Sequence, residues 1–274
     1  MTAAHADSAL AARVEAVLVE TNIRYVLAYE RLFPNEGAGY AHVGGGAVTF
    51  AGVGSPLSRA SGLGFDRPVQ PTDLDLAEQF LVRRGAVPRV DLCPFADGSL
   101  GALLAERGYV ESHTLNINVL PLSEPLTAAM DTGAGAASLE LIALQNDSAS
   151  AAVWADTVAA GFADHGPASP ADRRIYLSTF AGARCWLGLI AGRPVGGGAL
   201  RLVGKTALLS TASTVPEHRR RGVQSALMLA RLAAAQEAGC DLAVVLTTPD
   251  SDSERNVRRF GFEAAYADTY MRRE

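Results

Sequence analysis

The sequence predicts a mixed α/β fold in which two similar domains each have a mostly antiparallel central sheet flanked by helices. Three strand-like segments at 185–191, 195–203 and 206–215 are separated only by short turns, which is typical of an antiparallel meander. A helix with one apolar face follows at 222–238, and the run 242–246 is apolar on both of its alternating sets. Such a run indicates a central strand that is parallel to a neighbour. The third observation is that several landmarks of the chain occur twice in the same order.

Length and composition favour two folded domains. The chain has 274 residues, 49% hydrophobic and 19% charged, whereas one domain usually has about 100–200 residues. The segment 125–137 is rich in Gly and Ala and has no apolar periodicity, so we interpret it as a linker. The predicted domains are therefore 1–124 and 138–274.

The repeated landmarks are mostly glycines and prolines. The triplet Gly44 to Gly46 recurs as Gly196 to Gly198, and neither opens a helix, so we interpret both as packing or bulge positions in strands. The other pairs are Gly85 with Gly239, Pro94 with Pro249, and Gly108 with Gly261. This order favours a duplicated fold.

The remaining elements follow from periodicity and capping signals. In the second half, Trp154 lies on the predicted buried face of a helix, and Pro170 suits the first turn of the next one. The predicted segments there are a strand at 139–143, helices at 148–160 and from 170, the three strands and helix above, the strand 242–246, a helix at 253–260 and a strand at 262–271. In the first half they are helices at 72–84 and 99–107 with a strand around Val90 between them.

The junction between the strand 206–215 and the helix 222–238 predicts an anion site. Free N–H groups at a helix N-terminus point towards one place and favour negative charge. Gly222 allows the backbone to approach phosphates closely, and Arg219, Arg220 and Arg221 add positive charge. A nucleotide-binding P-loop is excluded because it requires Gly-Lys-Ser/Thr, and the one lysine, Lys205, lies elsewhere.

The segment from Val215 to Leu227 resembles motif A of the GNAT acyltransferases, (Arg/Gln)-x-x-Gly-x-(Gly/Ala). Arg219 and Gly222 match this motif, while Gln224 stands where the second Gly or Ala is usual. The polar helix that ends in Gly261-Phe262 is similar to a second signature of the family. The resemblance implies a GNAT fold for 138–274 and acetyl-CoA as the acyl donor. It implies that the donor is held by the backbone of Val215 and by the amides of Arg220, Arg221, Gly222, Val223, Gln224 and Ser225, with Arg219 among the binding residues and Asn256 near the pantetheine or adenine end.

The resemblance leaves catalysis less well defined. The family often has a tyrosine acid at the position of Val257. Tyr266, Tyr270 and the C-terminal Glu274 are the remaining candidates for proton transfer, and catalysis by positioning with a bound water is an equal alternative. By the same resemblance, Asp164 and His165 lie in the loop expected to line the acceptor pocket.

The first half resembles the degenerate partner domain of tandem GNAT proteins. The segment before its helix 72–84 has two prolines, which lack N–H donors, and Asp66, which repels phosphate. It has no Arg-x-x-Gly. We therefore expect no CoA binding by this half.

Together these observations predict a cytoplasmic N-acetyltransferase whose partner is a small-molecule amine. An inactive CoA-sensing module is the alternative, and a nucleic-acid contact through the three arginines is a third reading. The net charge of −5 argues against a nucleic-acid partner, and no apolar run is long enough to cross a membrane. Three cysteines without ligand spacing predict buried thiols and no metal site. A homodimer is compatible with the sequence.

Overall fold

The computed structural model describes residues 7–123, 139–162 and 169–274. The chain divides into two compact units. Unit 1 comprises Met1–Val119 together with Leu246–Glu274, and unit 2 comprises Leu120–Val245. The predicted linker, 125–137, lies outside the described residues.

The elements alternate along the chain as a mixed α/β fold requires. The helices are α1 (Ser8–Leu32), α2 (Pro71–Val82), α3 (Gly98–Glu106), α4 (Ser148–Gly161), α5 (Pro170–Gly182), α6 (Val223–Glu237) and α7 (Asp252–Arg259). The strands are β1 (Gly39–Val43), β2 (Gly46–Phe50), β3 (Arg59–Ser61), β4 (Arg89–Leu92), β5 (Tyr109–Pro121), β6 (Leu139–Ala143), β7 (Arg184–Ile190), β8 (Arg193–Val203), β9 (Thr206–Thr214), β10 (Leu242–Thr247) and β11 (Glu263–Arg273). The predicted fold class and each predicted segment of the second half are confirmed, with ends that differ by one or two residues.

The sheet of unit 1 has the strand order β1-β2-β3-β4-β11-β5. The last strand of the chain, β11, lies between β4 and β5 and is antiparallel to both. Its backbone hydrogen bonds therefore go to strands of the first half of the sequence. For this reason the compact units differ from the predicted division at 138–274, and the segment from Leu246 onwards belongs to unit 1.

The sheet of unit 2 has the strand order β10-β9-β8-β7-β6. Strands β6 to β9 form an antiparallel meander, and β10 is parallel to β9. Both features were predicted. Trp154 of α4 is fully buried, packs near Phe180 of α5, and donates its indole N–H to the carbonyl oxygen of Trp186 at 3.2 Å.

The two glycine triplets differ in structure. Gly44 and Gly45 have φ of 58° and 85° and form the two-residue turn between β1 and β2, so the prediction of strand positions is wrong for them. Two successive positive φ angles suit the twist of a tight hairpin, and glycine adopts them without strain. Gly46 lies in β2, where an added Cβ would stand 2.1 Å from the carbonyl oxygen of Ser61.

Gly196, Gly197 and Gly198 lie within β8, as predicted, and allow side chains to approach from both faces of the sheet. An added Cβ would contact Val223 at Gly196, Trp154 at Gly197 and Arg231 at Gly198, at 2.8, 2.9 and 3.2 Å. The triplet therefore determines how closely α4 and α6 pack on the sheet of unit 2.

The three cysteines, Cys93, Cys185 and Cys240, are buried free thiols, as predicted. Within the described ranges, no helix has both the length and the apolar character that a membrane span requires.

A substitution of Gly46 tests the close approach of strands in unit 1. Gly46→Ala should lower the free energy of unfolding by about 3 kcal/mol, because the methyl group would overlap backbone atoms that cannot move away. Gly101→Ala is the matched control. It adds the same methyl group inside α3 with nothing within 4 Å, and should raise stability by about 0.5–1 kcal/mol. Chemical unfolding of both variants measures the difference, and equal stabilities would contradict the packing argument.

Candidate active site

The connection from β9 to α6 has an irregular backbone, in which successive residues adopt different conformations. A short 3-10 helix, Pro216–His218, follows Val215, and Arg219 is extended with φ −64° and ψ 159°. Arg220 and Gly222 then have positive φ, 59° and 78°. Gly222 is the N-cap of α6 and its conformation is left-handed, which is easy for glycine.

This backbone leaves a group of N–H donors without acceptors. Among the described residues, the N–H groups of Arg220, Arg221 and Gly222 have no backbone acceptor. The N–H groups of the first helical turn have none inside a helix, and α6 has neither a side-chain cap nor an acidic residue in that turn. The loop therefore presents successive N–H donors and the positive end of the helix dipole to a ligand.

The packing of Val223 orients these donors. Val223 is 1% exposed, and its Cγ1 occupies the space over Gly188 and Gly196, where added Cβ atoms would approach it to 3.1 and 2.8 Å. The side chain of Val223 belongs to the core, as the apolar face predicted for this helix requires, and the contact predicted for Val223 is through its backbone amide. Only its backbone N–H is available to a ligand.

Arg219 supports the loop from within unit 2. Its Nε donates to the carbonyl oxygen of Thr214 at 3.3 Å, and its Nη2 donates to that of Gly161 at 3.1 Å. Gly161 is the last residue of α4, where a cation is favoured by the helix dipole. Arg219 was predicted to be among the donor-binding residues, and its side chain connects the end of β9 to the end of α4.

The other predicted loop residues are accessible to different degrees. The side chains of Arg220 and Arg221 are exposed, and Ser225 is half-buried. Gln224 is also half-buried, and its Oε1 accepts a hydrogen bond from the Thr214 hydroxyl at 3.4 Å. The substitution of the usual Gly or Ala by Gln224 is thus accommodated beside β9, and its backbone amide stays in the first turn of α6.

A β-bulge in β9 lies directly before the loop. Gly197 pairs with Ser213 and Ala199 with Ser210, so Thr211 and Ala212 together oppose a single residue of β8. Thr211 has φ of 47°, a strained value for a β-branched residue. The Ser213 hydroxyl donates to the carbonyl oxygen of Val158 at 2.9 Å. Bulges commonly adjoin functional sites because they release ladder groups for other partners.

Residues 146–262 match the model of the acetyltransferase (GNAT) family. This part of the chain is a GNAT-family domain. A search of curated proteins finds no significant match.

Several solved structures have the same fold as this chain, over the GNAT-family domain and over the rest of the chain. A GCN5-related N-acetyltransferase from Kribbella flavida is 18% identical with a TM-score of 0.62, covering 92% of this chain and 95% of that one. A tandem GNAT protein from the clavulanic acid biosynthesis pathway is 17% identical with a TM-score of 0.62, covering 97% and 94%. A GCN5-related N-acetyltransferase from Sphaerobacter thermophilus is 14% identical with a TM-score of 0.59, covering 79% and 71%.

The helix of unit 1 that corresponds in order to α6 begins differently. The carboxylate of Asp73 accepts the backbone N–H of Gln70 at 2.8 Å and two hydrogen bonds from Arg67, each at 2.8 Å. The hydrogen bonds from Arg67 lower the pKa of Asp73, so this carboxylate is ionised at neutral pH. An anion of the protein itself thus occupies the N-terminus of α2.

Four predicted site residues belong to unit 1. Asn256 is half-buried on α7, and Glu274 is exposed after the end of β11. Tyr266 is 8% exposed and donates its hydroxyl to Oε1 of Glu15 at 2.8 Å. Tyr270 is 7% exposed and stacks on His113 with ring centroids 4.5 Å apart.

The surroundings of the two tyrosines are those of core side chains. Burial is the main cause that raises the pKa of Tyr266 and of Tyr270 above the usual range. A phenol in such a place holds its proton tightly, and that of Tyr266 is already donated within unit 1. Sequence reasoning placed both on the last strand, as the structure does, but could not predict which face of the strand is buried.

The predicted acceptor residues Asp164 and His165 lie outside the described residues. His218, at the end of the 3-10 helix, was not predicted. Its Nδ1 is buried without a hydrogen-bond partner among the described residues. No sequence signal distinguishes this histidine from an ordinary surface residue of the loop.

Paired substitutions test whether Arg219 supports the GNAT-family domain while Arg221 serves a ligand. Arg219→Ala should lower the free energy of unfolding by about 1–2 kcal/mol, because two carbonyl groups lose their donor. Arg221→Ala removes the same charge from an exposed side chain and should change stability by less than about 0.5 kcal/mol. Thermal and chemical unfolding measure both, and equal losses would contradict the supporting role of Arg219.

Proposed function

We propose that the loop from Val215 to Ser225 binds the pyrophosphate of acetyl-CoA, and that the chain transfers the acetyl group to the primary amine of a small molecule. The observation that carries this proposal is the series of free N–H donors at the start of α6 without any carboxylate in the first turn. Main-chain donors of this kind suit a pyrophosphate, whose oxygens accept several hydrogen bonds at once.

The charges around the loop are consistent with such a ligand. Arg220 and Arg221 are exposed beside the free N–H groups, so they can neutralise phosphate oxygens that the backbone does not reach. Glu217 is exposed too, but it precedes Arg219 in the 3-10 helix and lies outside the first turn of α6. The local balance therefore favours an anion.

In this reaction a neutral amine attacks the thioester carbonyl carbon of the acyl-CoA donor. The C–S bond then breaks, and the thiolate that leaves takes up a proton. The chain must then orient the amine, polarise the carbonyl group and accept the amine proton. The bulge at Thr211 provides backbone groups directly before the donor loop. We assign positioning to this region and leave the proton donor unassigned.

We further propose that each chain binds one donor, through unit 2. The support is the carboxylate of Asp73 in the first turn of α2, which accepts hydrogen bonds from the Gln70 N–H and from Arg67 and so uses donors that a phosphate would need. Three buried free thiols agree with a reducing compartment, and we place the reaction in the cytoplasm.

The donor site is tested by introducing a carboxylate at the N-cap of α6. Gly222→Glu should weaken acetyl-CoA binding by about 100-fold or more, because a negative charge would face the phosphates. Gly239→Glu is the matched control. It follows the other end of the same helix, with φ of 75° against 78° for Gly222, so the backbone cost is similar. Isothermal titration calorimetry should give one site per chain for the wild type, and unchanged binding by Gly222→Glu would refute the assignment.

Turnover is tested separately by following thiol release from acetyl-CoA over a panel of amines that includes amino acids, polyamines and aminoglycosides. At least one amine should give release, and the rate should rise with pH as the amine loses its proton. Binding of acetyl-CoA without release on any amine would favour a CoA-binding module over an enzyme. Salt-sensitive DNA binding that CoA does not displace would favour a nucleic-acid contact instead.

A further inference from the structure

A buried polar cluster in unit 1 lies where the first helix, a central strand and the last strand meet. Glu15 of α1, Cys93 after β4 and Asp268 of β11 each place one ligand atom within 4.8 Å of the other two. Their exposed fractions are 2%, 4% and 1%. The three residues are far apart in sequence, so no spacing motif in the sequence predicts them as metal ligands.

The cluster has more acidic groups than positive charge to balance them. Asp91 is also buried, and its Oδ2 pairs with Nε of Arg59 at 2.8 Å. Arg59 therefore balances one of three buried carboxyl groups, and full ionisation would leave an excess of two negative charges. Uncompensated charge in a protein interior is very costly, so this place requires either bound protons or a divalent cation.

Asp268 is the group that points to a cation. Both of its carboxylate oxygens are buried and accept no hydrogen bond from an amide or hydroxyl group of the described residues, and the groups within hydrogen-bonding reach are the Glu15 carboxyl and the Cys93 thiol. Buried carboxylates without donors are rare in folded proteins and call for a specific cause. The Tyr266 hydroxyl donates to Glu15 at 2.8 Å, which orients that carboxylate as an outer-shell donor orients a metal ligand.

The donor set has a definite chemical preference. One thiolate and two carboxylates suit a borderline divalent transition metal, with metal–sulfur bonds of about 2.3 Å and metal–oxygen bonds of about 2.0–2.2 Å. Ligand atoms in such a site lie roughly 3.5 Å apart, so a small inward movement from the present separations is sufficient. Calcium and magnesium are disfavoured because they avoid sulfur.

We propose that Glu15, Cys93 and Asp268 form a structural binding site for one zinc-class divalent ion in unit 1. The ion joins α1 to β11, and therefore holds the first helix and the last strand of the chain together.

The test uses the full chain, denatured in a chelator and refolded with either no metal, one equivalent of Zn²⁺ or one equivalent of Co²⁺. The chain refolded with Zn²⁺ should retain one ion after desalting, by elemental analysis, and unfold at a higher temperature than the metal-free chain. The Co²⁺ form should show a thiolate-to-cobalt charge-transfer band in the near ultraviolet. A chain that retains no ion and shows no band overturns the proposal.

Three variants identify the ligands. Cys93→Ser should abolish the charge-transfer band and weaken Zn²⁺ retention at least tenfold, whereas Cys185→Ser, which removes a buried thiol of unit 2, should leave both unchanged. Asp268→Asn keeps the shape of the side chain and should also lose the ion. A different result would be that the wild-type chain binds no metal and that Asp268→Asn unfolds at a higher temperature than the wild type. The cluster would then be a pair of carboxyl groups that shares a proton, and the proposal would be wrong. Equal metal content in wild type, Cys93→Ser and Asp268→Asn would place the ion elsewhere and is equally contrary.

Discussion

The packing of Val223 against two glycines of the sheet determines where α6 begins, and the candidate site depends on that point. Gly188 and Gly196 leave space for the Val223 side chain, so the first turn of α6 is held against β7 and β8. Arg219 connects the same loop to the ends of β9 and α4. The N–H groups of the loop are consequently held in place by contacts within unit 2 before any ligand arrives, which reduces the entropy that binding must overcome.

The two halves of the sequence show how one order of elements can leave a helix N-terminus open or closed to an anion. In both halves, a helix, a strand and a second helix follow one another, with left-handed glycines at corresponding helix ends, Gly85 and Gly239. In unit 1 the helix N-terminus is occupied by Asp73, which Arg67 holds in place. In unit 2 no side chain caps α6. Function therefore depends on a few residues at one turn and not on the fold.

The interior of unit 1 contains buried ionisable side chains, whose removal from water costs free energy. The buried face of β11 carries Tyr266, Asp268 and Tyr270 at alternate positions, and Glu15 of α1 reaches the first of these. The hydrogen bond between Tyr266 and Glu15 joins β11 to α1, and the backbone ladders with β4 and β5 fix the register of the last strand.

The sequence by itself determined the type and order of the elements of the second half, the parallel β10, the buried Trp154 and the position of the loop at Gly222, because apolar periodicity and turn residues are local signals. It did not determine that β11 pairs with β4 and β5, that Gly44 and Gly45 form a turn, or that Arg219 connects the ends of β9 and α4. Those depend on which distant segments meet. Only the tertiary structure decided them, since hydrogen bonding between strands and the burial of a side chain are properties of the neighbours and not of the residue alone.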